Sequence, residues 1–291
     1  MSRTHGAFAL LAALLLPCAQ GCRTGAAVPP AALLRQQPPN TSATPEPYAP
    51  PFPAQKRGDE AFEPFVSLSG GRVFESREVR RKPVRKDMKV SASYPVLSGD
   101  DRPAAREFNR RARSFVLDEV TPYLESDGDA EKEKEPFWKG VEEYHDVYHK
   151  VVFASDGLVS TLFYVDSYNW GAAHGIHHPV TLNFDLKAGR EIKLAQLFRP
   201  GSDYLSRIAA LCREDLERQF GRGFPFFTGG LGPKPDNYKS WVVTRGGLVL
   251  IFEEYQVVAY ADGEPKVLIP FDSLKEIIDP RGPLAALAGN E

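Results

Sequence analysis

The stretch that decides the fold runs from Tyr164 to Leu186 and reads YVDSYNWGAAHGIHHPVTLNFDL. It joins two apolar-alternating runs through a loop broken by Gly171, Gly175 and Pro179. Alternation at period two marks half-buried strands, and turn residues between two such runs let the second return beside the first. The loop holds His174, His177 and His178, half of the six histidines, and Trp170, one of three tryptophans.

The same pattern extends in both directions. Upstream, Tyr144 to Phe153 alternates, Ser155-Asp156-Gly157 turns the chain, and Leu158 to Val165 returns, which reads as a hairpin. Phe65 to Leu68, Val73 to Val79 and Val90 to Val96 read as earlier strands. Between them and the hairpin, Asp100 and Asp101 offer an N-cap with Pro103 in the first turn. Ala105, Phe108, Ala112, Phe115, Val116 and Val120 then recur at helical spacing, predicting a helix to about Glu119.

Downstream, Lys187-Ala188-Gly189-Arg190 turns the chain toward Ile192 and Leu194. Ser202 can cap a helix with Leu205, Ile208, Ala209, Cys212, Leu216 and Phe220 on its inner side. Residues 221–237, rich in Gly, Pro and Phe, read as a loop. Trp241 to Val243 and Leu248 to Phe252 predict one further hairpin; Gln256 to Tyr260 and Val267 to Ile269, around Asp262-Gly263, predict another. Ser273 to Ile278 reads as a short closing helix, and the tail after Pro280 as frayed. Tight hairpins and two helices predict an α+β fold, with antiparallel sheets, helices packed on one face, and two small subdomains.

Composition bounds the function. Of 291 residues, 42% are hydrophobic and 11% aromatic, enough for a real core. The formal net charge of −2 gives no bulk field for nucleic acid, and no P-loop suggests a nucleotide. Local asymmetry exists. Residues 72–89 carry eight Arg or Lys against three acids, and residues 125–135 carry six acids and two lysines. The default readings are a solvated strand face and an exposed loop.

Arg3 and His5 precede the apolar run Ala7 to Leu16, too short to span a bilayer but sufficient for a signal peptide. Ala19-Gln20-Gly21-Cys22 then resembles a bacterial lipobox, making Cys22 the expected lipidated residue and the membrane contact. Nine prolines between Pro29 and Pro53 predict an extended tether. The expected division is a signal peptide at 1–21, an anchored linker at 22–61, one α+β unit at 62–170, a second at 171–280 and a tail at 281–291. Cys212, left alone after processing, reads as a small core residue on the inner helix face.

Several motifs resemble a known family. They are Gly171-Ala172-Ala173-His174-Gly175, Asn183-Phe184-Asp185-Leu186, Leu194-Ala195-Gln196-Leu197-Phe198, Phe252-Glu253-Glu254-Tyr255-Gln256-Val257 and Ala259-Tyr260-Ala261-Asp262-Gly263, followed by Ile269-Pro270. Together they resemble the C-terminal extracytoplasmic domain of the lysozyme-sensing anti-sigma-V factors. Tyr94-Pro95-Val96 and the Phe108-Asn109 helix resemble its usual N-terminal companion, which also occurs beside a peptidoglycan deacetylase domain. The resemblance implies an α+β pair whose second member is like a subdomain of the heat-shock cognate ATPase, without that ATPase's phosphate loops. Neither the sigma-binding segment of the first group nor the metal-dependent catalytic domain of the second is recognisable here. What the resemblance carries over is recognition of a lysozyme-like protein or a cell-wall glycan.

Candidate site residues cluster in and after the central loop. Tyr168, Asn169 and Trp170 make either a stacking platform or a cover for the end of the sheet. His174, His177 and His178 have ligand chemistry for zinc or copper, but adjacent histidines rarely share one ion. The competing reading gives His174 a backbone hydrogen bond in a tight turn and leaves the other two partly solvated. Glu253 and Glu254 end an apolar strand, so one should point inward, either as a general acid with Asp166 or Asp185 or as a partner for turn amides or a histidine. Tyr255 adjoins them in the same motif. Tyr144, Tyr148 and Tyr164 fall on neighbouring strands. No G-x-S-x-G or H-E-x-x-H spacing is present. The expectation is a non-enzymatic envelope lipoprotein, with no cofactor, that binds a lysozyme-like protein or glycan. The alternatives are a wall-polymer hydrolase or deacetylase-type enzyme using the histidine region or Glu253, and a passive scaffold.

Overall fold

A computed structural model describes residues 63–127 and 141–289. The expected leader, Cys22, the linker and most of the acidic loop lie outside the described residues. The described residues all belong to one compact unit. They form β1 (Phe65–Val66), β2 (Val73–Glu78), β3 (Met88–Ser98), α1 (Pro103–Glu125), β4 (Glu143–Ala154), β5 (Leu158–Tyr168), β6 (Ile176–Asp185), β7 (Arg190–Glu191), α2 (Tyr204–Phe220), β8 (Trp241–Val243), β9 (Gly247–Ile251) and β10 (Lys266–Pro270).

A seven-stranded sheet has the order β2-β3-β4-β5-β6-β7, with β1 beside β4. It is mostly antiparallel, but β3 and β1 both run parallel to β4. The α1 crossover explains the β3–β4 pair, because a helix between two strands returns the chain to the end where it started. The expected subdomain boundary at 170/171 falls in the connection between β5 and β6, which pair from Leu158↔Asp185 to Ser167↔Ile176 in this one sheet.

Ala105, Phe108, Ala112, Val116, Val120 and Leu124 of α1 are all buried against Ala92, Leu97, Val147, Phe163, Val165 and Phe184 of the sheet. Each large apolar side chain so buried contributes about 1.5–3 kcal/mol. This stripe carries α1 beyond the expected end at Glu119 and through Pro122, since burial of Val120 and Leu124 offsets the backbone hydrogen bond a proline forgoes. Asp100 and Asp101 do not cap the helix. The N-cap is Arg102, and Asp100 binds its backbone N–H and guanidinium instead, which holds the Asp100 carboxyl well below the usual range.

A second, antiparallel sheet has the order β10-β9-β8. Val242, Val249 and Ile251 pack on Val152 and Leu162 of the large sheet, on the side away from α1. Leu248, Leu250, Val267 and Ile269 face Ile208, Cys212 and Leu216 of α2. The layers are therefore α1, large sheet, small sheet, α2. A polar seam ties the sheets together. Ser160 Oγ accepts from Val243 N–H at 2.9 Å, and Asn183 Nδ2 donates to the Trp241 carbonyl at 2.8 Å. Cys212 is buried in this core, which pushes its thiol pKa up. No helix among the described residues is long and apolar enough to cross a membrane.

Three local expectations change. Gln256 to Tyr260 is not a strand. Instead β10 pairs directly with β9, across a connection over residues 252–265. Val257 and Val258 are adjacent and both fully buried, which the alternation of a half-buried strand forbids. Ser273–Ile278 is not an α-helix: only a 3₁₀ turn at Phe271–Ser273 precedes turns, and Ile278 bridges to Phe198. The tail is not frayed through 281–289, because Leu284 is fully buried in the α2 core. The second helix is capped by Asp203, whose side chain accepts from Ser206 N–H, while Ser202 Oγ donates to the Arg199 carbonyl.

Candidate functional site

Strand alternation places Tyr144, Asp146 and Tyr148 of β4, Tyr164, Asp166 and Tyr168 of β5, and His177 of β6 on the face of the large sheet turned toward the small sheet. The register makes Asp146, Asp166 and His177 one cross-strand row, with Tyr148 opposite Tyr164 in the next. The small sheet covers this face at Val152 and Leu162. Beyond that cover, the 252–265 connection delivers Glu254, Tyr255, Tyr260 and Glu264.

His177 is held from both sides. Its Nε2 lies 3.1 Å from Asp166 Oδ1, and its Nδ1 lies 3.0 Å from Glu254 Oε1. Glu254 Oε2 also accepts from the His177 backbone N–H at 3.3 Å. The Asp166 contact has the geometry of an ion pair rather than of an aligned hydrogen bond. A ring flanked by two carboxylates favours the imidazolium form. Asp166 raises the His177 pKa most; burial opposes it, Glu254 adds, and the result is about 9. Glu264 stands nearby, with its Oε2 3.7 Å from Lys266 Nζ. Burial, with help from Glu254, pushes its carboxyl up to about 7 against the pull of Lys266. Asp146 is also raised, by burial first and then by Asp166 opposite it.

Aromatic rings frame these acids. Tyr148 stacks on Tyr164 at 5.1 Å, and Lys266 Nζ lies 5.7 Å from the Tyr164 ring centroid. His174 stacks on Tyr260 at 3.7 Å, and its Nε2 is 3.1 Å from the Tyr255 hydroxyl. Tyr255 is 54% exposed and has a φ of 62°, the left-handed region that side chains other than glycine seldom occupy. Such a conformation persists only where its surroundings impose it. Here the His174 contact and the Glu254 anchor, one residue earlier, do so.

The expected residues separate. His174 Nδ1 meets the Gly175 carbonyl at 2.7 Å, the backbone bond of a tight turn. His177 and His178 are both partly exposed, as expected, but His177 is engaged by two carboxylates and lies in β6 rather than in a loop. His178, the next residue on that strand, faces the α1 side, where it helps depress the pKa of buried His145 to about 4, behind burial itself. Among the described residues no group of three His, Cys, Asp or Glu is arranged to hold a metal ion. Tyr168 stacks on Tyr144 at 6.1 Å, Asn169 is exposed, and the Trp170 backbone N–H donates to Glu143 Oε1. Glu253 turns away to Lys239 at 2.9 Å. The inward glutamate is Glu254. Sequence reasoning placed Tyr260 in a motif but gave it no site role, and passed over Glu264, for which no spacing signal exists.

Residues 195–272 match the family model described as a protein of unknown function, DUF3298. A DUF3298 domain is therefore present in the chain. The match spans α2, the small sheet and the 252–265 connection, but not Asp166 or His177. The site is thus assembled across the edge of the DUF3298 segment. The chain is 23% identical over 196 residues to the peptidoglycan-N-acetylmuramic acid deacetylase PdaC of Bacillus subtilis, covering 66% of this chain. It spans 39% of that enzyme's length. A crystal structure of a DUF3298 family member from Bacteroides fragilis superposes with a TM-score of 0.54 at 18% identity, covering 77% of this chain and all of that one. A DUF3298 protein from Pseudomonas aeruginosa gives a TM-score of 0.49 at 18% identity, covering 72% and 93%. The Bacteroides structure shares the sheet-rich α+β fold; at that identity the likeness concerns the fold alone.

Proposed function

We propose that this chain is a non-enzymatic binding module of the bacterial envelope, exported and anchored through Cys22, that recognises a lysozyme-like protein or a cell-wall glycan. The observation that carries the reading is the surface around His177. Exposed Tyr148 and Tyr255 share this face with the partly exposed Asp146 and Asp166 and the largely buried Glu254 and Glu264, four carboxyls against the two nearby cations His177 and Lys266. Aromatic rings give contact area at low entropic cost, and an acidic surface attracts a basic partner such as a lysozyme. Both ring nitrogens of His177 are engaged by carboxylates, so the ring is occupied as a brace rather than poised as a base. The distant relationship to a peptidoglycan deacetylase is consistent with an envelope setting.

The test is calorimetric titration of the chain with hen egg-white lysozyme and, separately, with soluble peptidoglycan fragments, at low and high salt. The reading expects saturable heat with one of the two, weakened by Tyr255→Ala. Lysozyme binding should also weaken with salt. No heat with either ligand at either salt rules it out.

One observation favours a second reading, a carboxylate-assisted hydrolase. Glu264 sits near pKa 7, where a carboxyl can act as a general acid at neutral pH. This role moves from Glu253, whose carboxylate is engaged by Lys239. Release of product from peptidoglycan fragments, abolished in Glu264→Gln, would establish the enzyme and displace the binding module.

A further inference from the structure

At the far end of the β4–β5 hairpin lies a second concave site. Gly157 and Asp166 are separated along β5 by roughly 30 Å, at about 3.3 Å per residue. Here the 155–157 turn, the 185–190 turn and the 279–287 segment enclose a cleft of about 690 Å³. That volume suits a small molecule. Leu158, Ile192, Pro283 and Leu287 give the cleft an apolar lining. Lys187, Arg190 and Arg281 line it as well, with Arg281 Nε 3.9 Å from Asp279.

The acids at the rim already have partners. Asp156 accepts from the Ser69 backbone N–H and hydroxyl and from Arg72 at 2.7 Å. Asp185 Oδ1 accepts the backbone N–H groups of Lys187 and Ala188, and Asp279 Oδ1 that of Arg281. Among the described residues, Lys187 and Arg190 pair with no carboxylate. The Lys187 stem rests on Gly157, where an added Cβ would come 2.9 Å from Lys187 Cε. Glycine at 157 therefore gives the lysine its bed at the cleft wall.

Two unpaired cations set in an apolar lining select an anion with an apolar body. Asp185 and Asp279 temper the local positive charge, which favours a monoanion over a phosphate dianion. We propose that this cleft binds a small carboxylate carrying an apolar body, with the carboxylate between Lys187 and Arg190 and the body along Leu158, Ile192, Pro283 and Leu287. The site is separate from the His177 surface and does not depend on the function proposed for it.

Such a carboxylate can come from a fatty acyl chain or from the C-terminus of a short peptide. The test titrates the full chain by calorimetry with octanoate, with N-acetyl-alanyl-alanine, and with octanamide as the neutral control. At least one carboxylate should saturate. Its affinity should fall roughly fivefold or more in the Lys187→Gln, Arg190→Gln double variant, and octanamide should bind roughly fivefold or more weakly than octanoate where octanoate is the ligand. Saturation by octanoate alone assigns an acyl source, by the dipeptide alone a peptide terminus, and by both a site that reads only the shared carboxylate. Both altered side chains are exposed, so thermal unfolding should be unchanged; if the double variant fails to fold, Arg190→Gln alone carries the comparison. The proposal is overturned if neither carboxylate saturates, if the variant binds as well as wild type, or if octanamide matches octanoate.

Discussion

Glu254 Oε1 lies 3.0 Å from His177 Nδ1 and Glu254 Oε2 lies 3.3 Å from the His177 backbone N–H, so one carboxylate holds both the ring and the main chain of a residue 77 positions away. The contact fastens the β9–β10 connection to strand β6. Asp166 closes the arrangement from β5. Tyr255 follows Glu254 directly, and Glu264 lies at the other end of the same connection, so the clamp at His177 docks the part of the surface that this connection supplies against the part that β4, β5 and β6 supply.

Breaking the clamp leaves a charge largely buried without its partner. Glu254→Gln and His177→Gln should each lower stability by about 2–3 kcal/mol. The double variant should lose less than the sum, because both changes remove one interaction. Asp166→Asn should cost less, since its side chain is the most exposed of the three, at 23%. Urea unfolding of the four variants checks this; a wild-type midpoint for Glu254→Gln contradicts it.

Three groups with large shifts shape the pH profile between about 4 and 9. The folded pKa of His177 is raised to about 9 from 6.5, so its stabilisation is complete below 6.5 and is lost as pH rises through 9. That of Glu264 is raised to about 7 from 4.5, so its contribution is complete below 4.5 and is lost as pH rises through 7. His145 has the opposite sign. Its pKa is lowered to about 4 from 6.5, so its contribution is present above 6.5 and is lost as pH falls through 4. Between 4.5 and 6.5 the Glu264 and His145 slopes oppose each other, and above 6.5 stability should decline. Denaturation midpoints measured across this range test the shape. His177→Gln should flatten the alkaline limb, and His145→Phe, which keeps the stack on Tyr123, should flatten the acid limb.

Gly230 supports the clamp from behind. A Cβ there would overlap the Gln256 carbonyl. Gln256 closes the 253–256 turn, donating its N–H to the Glu253 carbonyl and accepting the Glu253 N–H on its side chain. Gly230→Ala should therefore shift the turn that carries Glu254 and cost about 1–3 kcal/mol. Thermal unfolding together with the titration of His177 reads both effects, and an unaltered pKa for His177 would show that the turn had not moved.

The C-terminal segment is part of the core. Leu284→Ala should cost about 2–5 kcal/mol, whereas a change in a frayed tail costs almost nothing. A chemical denaturation curve unchanged from wild type would return 281–289 to the solvent.

Legibility in the sequence followed the reach of each signal. Period two found β3, β4 and β5, a Gly-rich turn at Gly246-Gly247 found the β8–β9 hairpin, and the α1 stripe found the helix, because those patterns are local. Pro122 concealed the last turn of α1, since burial of Leu124 is a tertiary fact. The mispaired hairpin near Gly263 arose from reading Val257-Val258 as half of an alternating strand when both side chains are buried. At the site, period two correctly required one of Glu253 and Glu254 to point inward, but could not say which, because the strand ends at Ile251. The Asp166–His177 pair depends on hairpin register, and that was hidden by reading His177 as loop. Glu264 acquires its character only from the burial that folding supplies.

The measurement that bears most directly on this account is a pH titration of the histidine ring signals by carbon–proton NMR, with His177 assigned by its absence in His177→Gln. One ring should titrate near pH 9, move part of the way down in Glu254→Gln and move further in Asp166→Asn, since Asp166 raises it most. If the His177 ring titrates at its ordinary value of 6.5 in wild type, the clamp does not exist and the surface built on it falls with it.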